Sequence, residues 1–282
     1  MTDWQPSAVH QQRLLTARRM RVRSTVLATV ACVAVFGALV LVLVTAPGWQ
    51  RVQETFFDPA EAWKVLPSAL KGFWLNVRLF LIAEPLILVL GLAVALARGT
   101  TAPVLAPVRV VAVIYTDLFR GIPTILVVML VGFGVPALNL TGVTKSFFWL
   151  ALVALVLSYG AYVAEVFRAG IESVHPSQVA SATALGLSHG QAMRHVVVPQ
   201  AVRRVMPPLL NDFISLQKDT ALVVILGLFD ALGTASDTAN YDFNYTPYVV
   251  VAVLFVALTV PLARFTDWLA RRTSERERAG FR

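Results

Sequence analysis

The sequence predicts an all-α, polytopic membrane protein with six transmembrane helices. Three observations carry this. Hydrophobic residues make up 57% of the chain and charged residues only 14%, a composition that does not suit a water-soluble surface. Apolar runs of about 20 residues, the length an α-helix needs to cross the hydrocarbon core, recur along the chain. Lysine and arginine gather at the ends of those runs, where they serve orientation and lipid headgroups. The formal net charge of +8 therefore reads as topological, with no nucleic-acid partner.

The runs lie near 25–46, 74–97, 109–135, 146–169, 206–229 and 247–267. The first follows a group of arginines and ends on Val44-Thr45-Ala46, as a secretory signal peptide would. Its apolar core exceeds the roughly 7–15 residues of such a peptide, so a retained helix is expected. Arg13, Arg18, Arg19, Arg21 and Arg23 hold the basic segment 1–24 in the cytoplasm. Six crossings return the basic tail 268–282, with Arg271, Arg272, Arg276, Arg278 and Arg282, to the same side. Loops on that side carry Arg98 and Arg109, then Arg168, Arg194, Arg203 and Arg204. Outside stand Arg51, Lys64, Lys71 and Lys145, and the last external loop, 230–246, has Asp230, Asp237 and Asp242 with no base.

The longest cytoplasmic connection, 171–205, is patterned as a helix pair. His175-Pro176-Ser177 looks like a helix start, with proline where its missing N–H is harmless. Small residues from Val179 to Leu185 predict a narrow helix, and Gly186 a left-handed turn at its end. A second amphipathic stretch, Gln191 to Val198, runs until Pro199 stops or kinks it. Two readings fit this pattern: a hairpin that projects from the membrane to dock a soluble partner, or an interfacial helix lying on headgroups.

Polar residues inside the apolar runs mark candidates for a path across the membrane, because an ionisable group there is costly unless paired or facing a cavity. In the third run Asp117 and Arg120 are three apart and share a face, and Pro123 leaves the carbonyl of Phe119 without its helical partner. Arg120 suits a carboxylate by its planar fork, or else Arg120 and Asp117 form a structural pair. In the fourth run Tyr162 and Glu165 share a face, with Arg168 three residues further on. Glu165 either holds an ammonium group or pairs with Arg168. In the fifth, Asn211 with Lys218 and Asp212 with Asp219 form two adjacent polar stripes. Lys218, Asp219 and Thr220 are candidates for substrate contact, or for packing between subunits. Glu84, beside Pro85 in the second run, sits six residues from Arg78 and off its face; it should be protonated, paired or cavity-facing, and stays an unassigned candidate.

No catalytic or metal-binding role is expected of this chain. Its single cysteine, Cys32, lies in the first run and allows neither an internal disulfide nor a thiolate metal site. There is no phosphate-binding loop and no H-E-x-x-H pattern. His10, His175, His189 and His195 all lie in cytoplasmic segments.

Several motifs carry a family resemblance in consistent order from about residue 70 to residue 267. Gly186 followed by Val196-Val-Val198-Pro199 resembles the loop motif of the membrane subunits of bacterial ATP-binding cassette (ABC) importers. FRGIP (119–123), YVAEVFRAGIESV (162–174), TALGLS (183–188), VVVPQAVRRVMPPLLNDF (196–213) and QKDTAL (217–222) resemble the polar amino acid permease branch. The resemblance implies a five-helix type I importer core over 70–267, preceded by one extra helix at 25–46 for anchoring or partner contact. It implies a coupling hairpin at 171–205 in which Ser177, Ala180, Ser181, Ala182, Gly186 and Pro199 meet an ABC ATPase. That separate subunit would bind ATP and Mg. It further implies a second permease subunit, the same or homologous, an extracytoplasmic substrate-binding protein, and a place in the bacterial inner membrane. Ala180 and Ser181 depart from the motif, whose first residue is a glutamate implicated in contact with the ATPase. A secondary transporter, for which no convincing internal repeat is present, and a permease for another small solute such as an opine-like compound or organic cation are the alternative readings.

Overall fold

The computed structural model describes residues 7–100 and 102–279. Of the residues assigned to the termini, Arg282 lies outside the described residues. The side chains of His10, His189, Arg271, Arg276 and Arg278 do so as well. The chain divides into two units, residues 1–55 and 56–282.

The first unit holds α1 (Ala8–Thr45) and all but the last residue of α2 (Trp49–Phe56). α1 is one unbroken 38-residue helix, so the basic segment before residue 25 forms its opening turns instead of a separate stretch. Arginine, leucine and alanine are good helix formers, and no proline intervenes until Pro47, ahead of which the backbone leaves the helical region.

The second unit opens on α3 (Pro59–Arg98). Asp58 caps it, accepting from the Ala60 N–H at 2.9 Å, with Pro59 at the first helical position. This helix begins 15 residues before the apolar run at 74–97. Glu61, Lys64 and Lys71 interrupt the hydropathy there, while Val65, Ala69 and Gly72 keep one face buried. α4 (Ala106–Gly121) and α5 (Thr124–Met129) replace the single rod expected over 109–135. A wide turn over Leu130–Gly134 and the short α6 (Val135–Ala137) complete this stretch. The two halves meet at 106°. Pro123 excludes its predecessor from the helical region, and Ile122 is extended (φ −98, ψ 130), so the proline ends the helix and does not merely free one carbonyl within it.

α7 (Phe147–Glu172) is the centre of the unit. Leu155 from α7, Leu79 and Ile87 from α3, Val128 from α5 and Leu216 from α10 (Val198–Asp219) are almost fully buried in one core. Between α7 and α10 run α8 (Pro176–Ala184) and α9 (His189–Ala192). Pro199 does not stop this second arm. The five residues Met193–Val197 form a wide π turn, in which the Val198 N–H reaches back to Met193. That extra residue accommodates the proline, which lacks an N–H and would crowd a tighter turn. The arm and the membrane helix are thus continuous, and α10 begins eight residues before the run at 206–229.

That run also ends early, since Thr220–Leu226 tightens into a 3₁₀ helix closed by Gly227 in the left-handed region. The segment 230–246, expected as an external loop, contains α11 (Ala231–Asp242). Asp230 caps it through the Gly233 N–H at 2.8 Å. Its buried face is Ala231, Ala235 and Ala239, too small to register as an apolar run. α12 (Thr246–Ala279) continues through most of the basic tail. All regular elements among the described residues are helical. Four helical stretches are long and apolar enough to cross a bilayer, and the bent pairs at Pro123 and Gly227 bring the number to six if each is one span.

Candidate functional site

α4, α7 and α10 line an open cleft of about 380 Å³. α7 and α10 touch beside it at Gly170, where a Cβ would fall 2.0 Å from Val205 Cγ1; only glycine allows that approach. Arg120 reaches the cleft from the last turn of α4, Tyr162 and Glu165 from α7, and Arg204, Pro208 and Asp212 from α10. Pro208 offers no N–H to the carbonyl of Arg204, whose guanidinium instead donates to the Ser173 carbonyl.

Glu165 is the electrostatic centre. Arg98 donates to its Oε2 at 2.8 Å, Arg168 binds both of its oxygens, and the guanidinium of Arg120 stands 3.7 Å away. Arg98 also donates to Thr116 at 3.0 Å, and Arg168 to Glu172. Arg120 thus turns across to α7 and does not pair with Asp117, which is exposed and makes no ion pair among the described residues. Tyr162 donates to the Arg120 carbonyl at 3.3 Å. With three guanidinium groups around it, Glu165 has little capacity left for a ligand cation. Asp212 differs, since its Oδ2 is buried and has no hydrogen-bond partner among the described residues.

The remaining path candidates separate. Asn211 is exposed on α10. Lys218 lines a second groove of about 320 Å³ with Leu232, Tyr248 and Phe255. Asp219 accepts from Tyr159 at 2.7 Å. Thr220 is fully buried and donates to the Gln217 carbonyl, while Gln217 accepts from Thr259 of α12 at 2.6 Å. These last contacts tie helices together. Arg98 and Arg204 read in the sequence only as loop-end charges. Asp212 is legible there through its stripe with Asp219 and as one of three acids, with Glu165 and Asp219, that would suit a basic side chain.

The hairpin is built on local rules. The Ser177 N–H donates to His175 Nδ1 at 3.2 Å, and Ser177 Oγ lies 2.8 Å from the same nitrogen. At the other end Gly186 has φ +88, with the Gly186 N–H on Thr183 and the Leu187 N–H on Ala182, a Schellman close. Ser188 and Gln191 then cap the second arm reciprocally. Ala182 is buried within the hairpin, whereas Ser177, Ala180, Ser181, Gly186 and Pro199 are exposed. Leu185 stands 84% exposed at the apex. Val174, Val197 and Ala201 form a small core at the base.

A helical hairpin runs without a break into a long helix that lines a charged cleft, an arrangement that suits a transport component, and residues 87–275 match the family described as binding-protein-dependent transport system inner membrane component. The chain belongs to that family. It is similar to the arginine transport system permease protein ArtQ of Bacillus subtilis, 33% identical over 71% of this chain and 89% of the relative. It is also similar to the glutamate/aspartate import permease protein GltK of Escherichia coli, 31% identical over 77% and 99%. Among solved structures it resembles an amino acid ABC transporter crystallised with histidines, at TM-score 0.69 and 29% identity over 76% of this chain and 98% of that one. The methionine transporter MetNI in an inward-facing form shares the fold at TM-score 0.60 and 20% identity, over 73% and 96%.

Proposed function

We propose that this chain is the permease subunit of an ABC importer that moves polar amino acids inward across the cytoplasmic membrane. ATP and Mg are bound and ATP hydrolysed on a separate ATPase subunit, an external binding protein supplies the substrate, and a second permease subunit, the same or homologous, completes the pathway. Both termini and the 171–205 hairpin face the cytoplasm. Ser177, Ala180, Ser181, Gly186 and Pro199 form the docking side of the hairpin, and Arg120 and Tyr162 line the substrate path.

One observation carries this reading: a single continuous helix joins the hairpin to the cleft, because the π turn lets α9 run into α10, and α10 supplies Arg204, Pro208 and Asp212. A push on the hairpin is therefore a displacement of the cleft wall, as a coupling element requires if it is to transmit free energy between two states. The curated relatives named above transport arginine and glutamate/aspartate, which supports polar amino acids as the cargo.

The test is purification of the chain from its native membrane in mild detergent, followed by amino acid uptake into vesicles holding the recovered complex. Co-purification of an ATPase and uptake that requires ATP support the proposal. Uptake driven by an ion gradient without ATP overturns it.

A further inference from the structure

Of the four charged side chains that line the cleft, Arg120 and Arg204 are basic and Glu165 and Asp212 acidic. The two acids are not equivalent. Glu165 is neutralised by Arg98, Arg120 and Arg168, so its end of the cleft is net positive. Asp212 keeps a buried carboxylate oxygen with no donor on it among the described residues. A carboxylate left in this state in a membrane interior is costly unless a cation or a donor arrives. Glu84 of α3, a second acid, lies within electrostatic reach of it, and Phe80 packs on Phe213 alongside. The cleft therefore holds two guanidinium groups, Arg120 from α4 and Arg204 from α10, and on α10 one acid with an unpaired oxygen, Asp212.

We infer that Asp212 is the acceptor for the α-ammonium group of a zwitterionic amino acid whose α-carboxylate is held by Arg120. This rests on the amino acid import reading and adds a residue and a ligand polarity to it. A carboxylate fits the guanidinium fork in two places at once, while an ammonium carries three donors and needs an acceptor with free lone pairs, which Asp212 offers and Glu165 has mostly spent on arginines. The arrangement rejects two classes of solute. A carboxylic acid without an amino group leaves Asp212 unsatisfied, and an amine without a carboxylate leaves Arg120 with only Glu165.

The experiment titrates the complete permease–ATPase complex in lipid nanodiscs with L-arginine, L-glutamine, L-glutamate and L-histidine, each beside its analogue lacking the α-amino group. At least one amino acid binds the unaltered complex, and its analogue binds about tenfold or more weakly, the loss expected when a charged hydrogen bond is removed. Asp212→Asn, close in shape to the original, weakens the amino acid by a similar factor while leaving the analogue unchanged, so that discrimination disappears. Asp212→Glu restores most of it. Discrimination that persists in Asp212→Asn overturns the role of Asp212 and leaves the import reading standing. If the unaltered complex neither binds nor imports any of the four amino acids, both fall.

Discussion

Gly186 sits at φ +88 with nothing within 4 Å of where a Cβ would stand, so the demand there is on backbone conformation and on an open face, not on packing. Gly186→Arg is expected to strain the turn by about 1–2 kcal/mol and to place a long cation on the side proposed to meet the ATPase. The variant should reach the membrane in normal amount but fail to retain the ATPase during purification. Retention with full uptake would remove the hairpin from the coupling role. Glu165 makes the opposite kind of demand. Glu165→Gln leaves Arg98, Arg120 and Arg168 without their shared counter-ion, at a site where the carboxylate side chain is only 22% exposed. A loss on the order of 2 kcal/mol is expected, read as a lower melting temperature of the detergent-solubilised complex. An unchanged melting temperature would show that the arginines find water instead.

Among elements, the contact between α7 and α10 sets the width of the cleft. Gly170→Val drives a branched side chain into Val205 and should cost about 1–3 kcal/mol by overpacking, while Val205→Ala in the same chain should recover much of it. A double variant no better than the single one would mean that the two helices separate elsewhere. The elements themselves were legible in the sequence to different degrees. The hairpin's start at Pro176 and its turn at Gly186 follow from the steric limits of proline and glycine, which act on their own and adjacent residues. The break at Pro123 and the continuation through Pro199 have the same residue behind them with opposite outcomes. The difference lies in whether a wide turn is available to take up the ring, which a linear pattern does not reveal. α11 escaped notice because a face of three alanines suffices when the helix packs closely on α3 and α12. The charge network around Glu165 was illegible for another reason, since Arg98 comes from 67 residues away and only folding brings it there. Asp117 and Arg120, adjacent on one helix face, suggested a pair that the stronger attraction of Glu165 dissolves.

For the whole molecule, the proposed orientation is checkable without any assay of transport. After Cys32→Ser, a cysteine in place of Asp237 in α11 should react with a membrane-impermeant thiol reagent in intact cells, and one in place of Arg194 only after permeabilisation. The reverse pattern would turn the protein over and place the hairpin outside. One local feature also governs how the molecule as a whole presents itself. An α-helix advances about 100° per residue, and the π turn over Met193–Val197 holds one residue more than an α turn. A π turn spreads nearly the same rotation over one residue more, so the extra residue is absorbed within the turn. The sequence period slips by one position there, while the helical faces on either side keep their aim in space. A related chain could lose that residue, close an ordinary α turn and still present the same docking face against the same transport path.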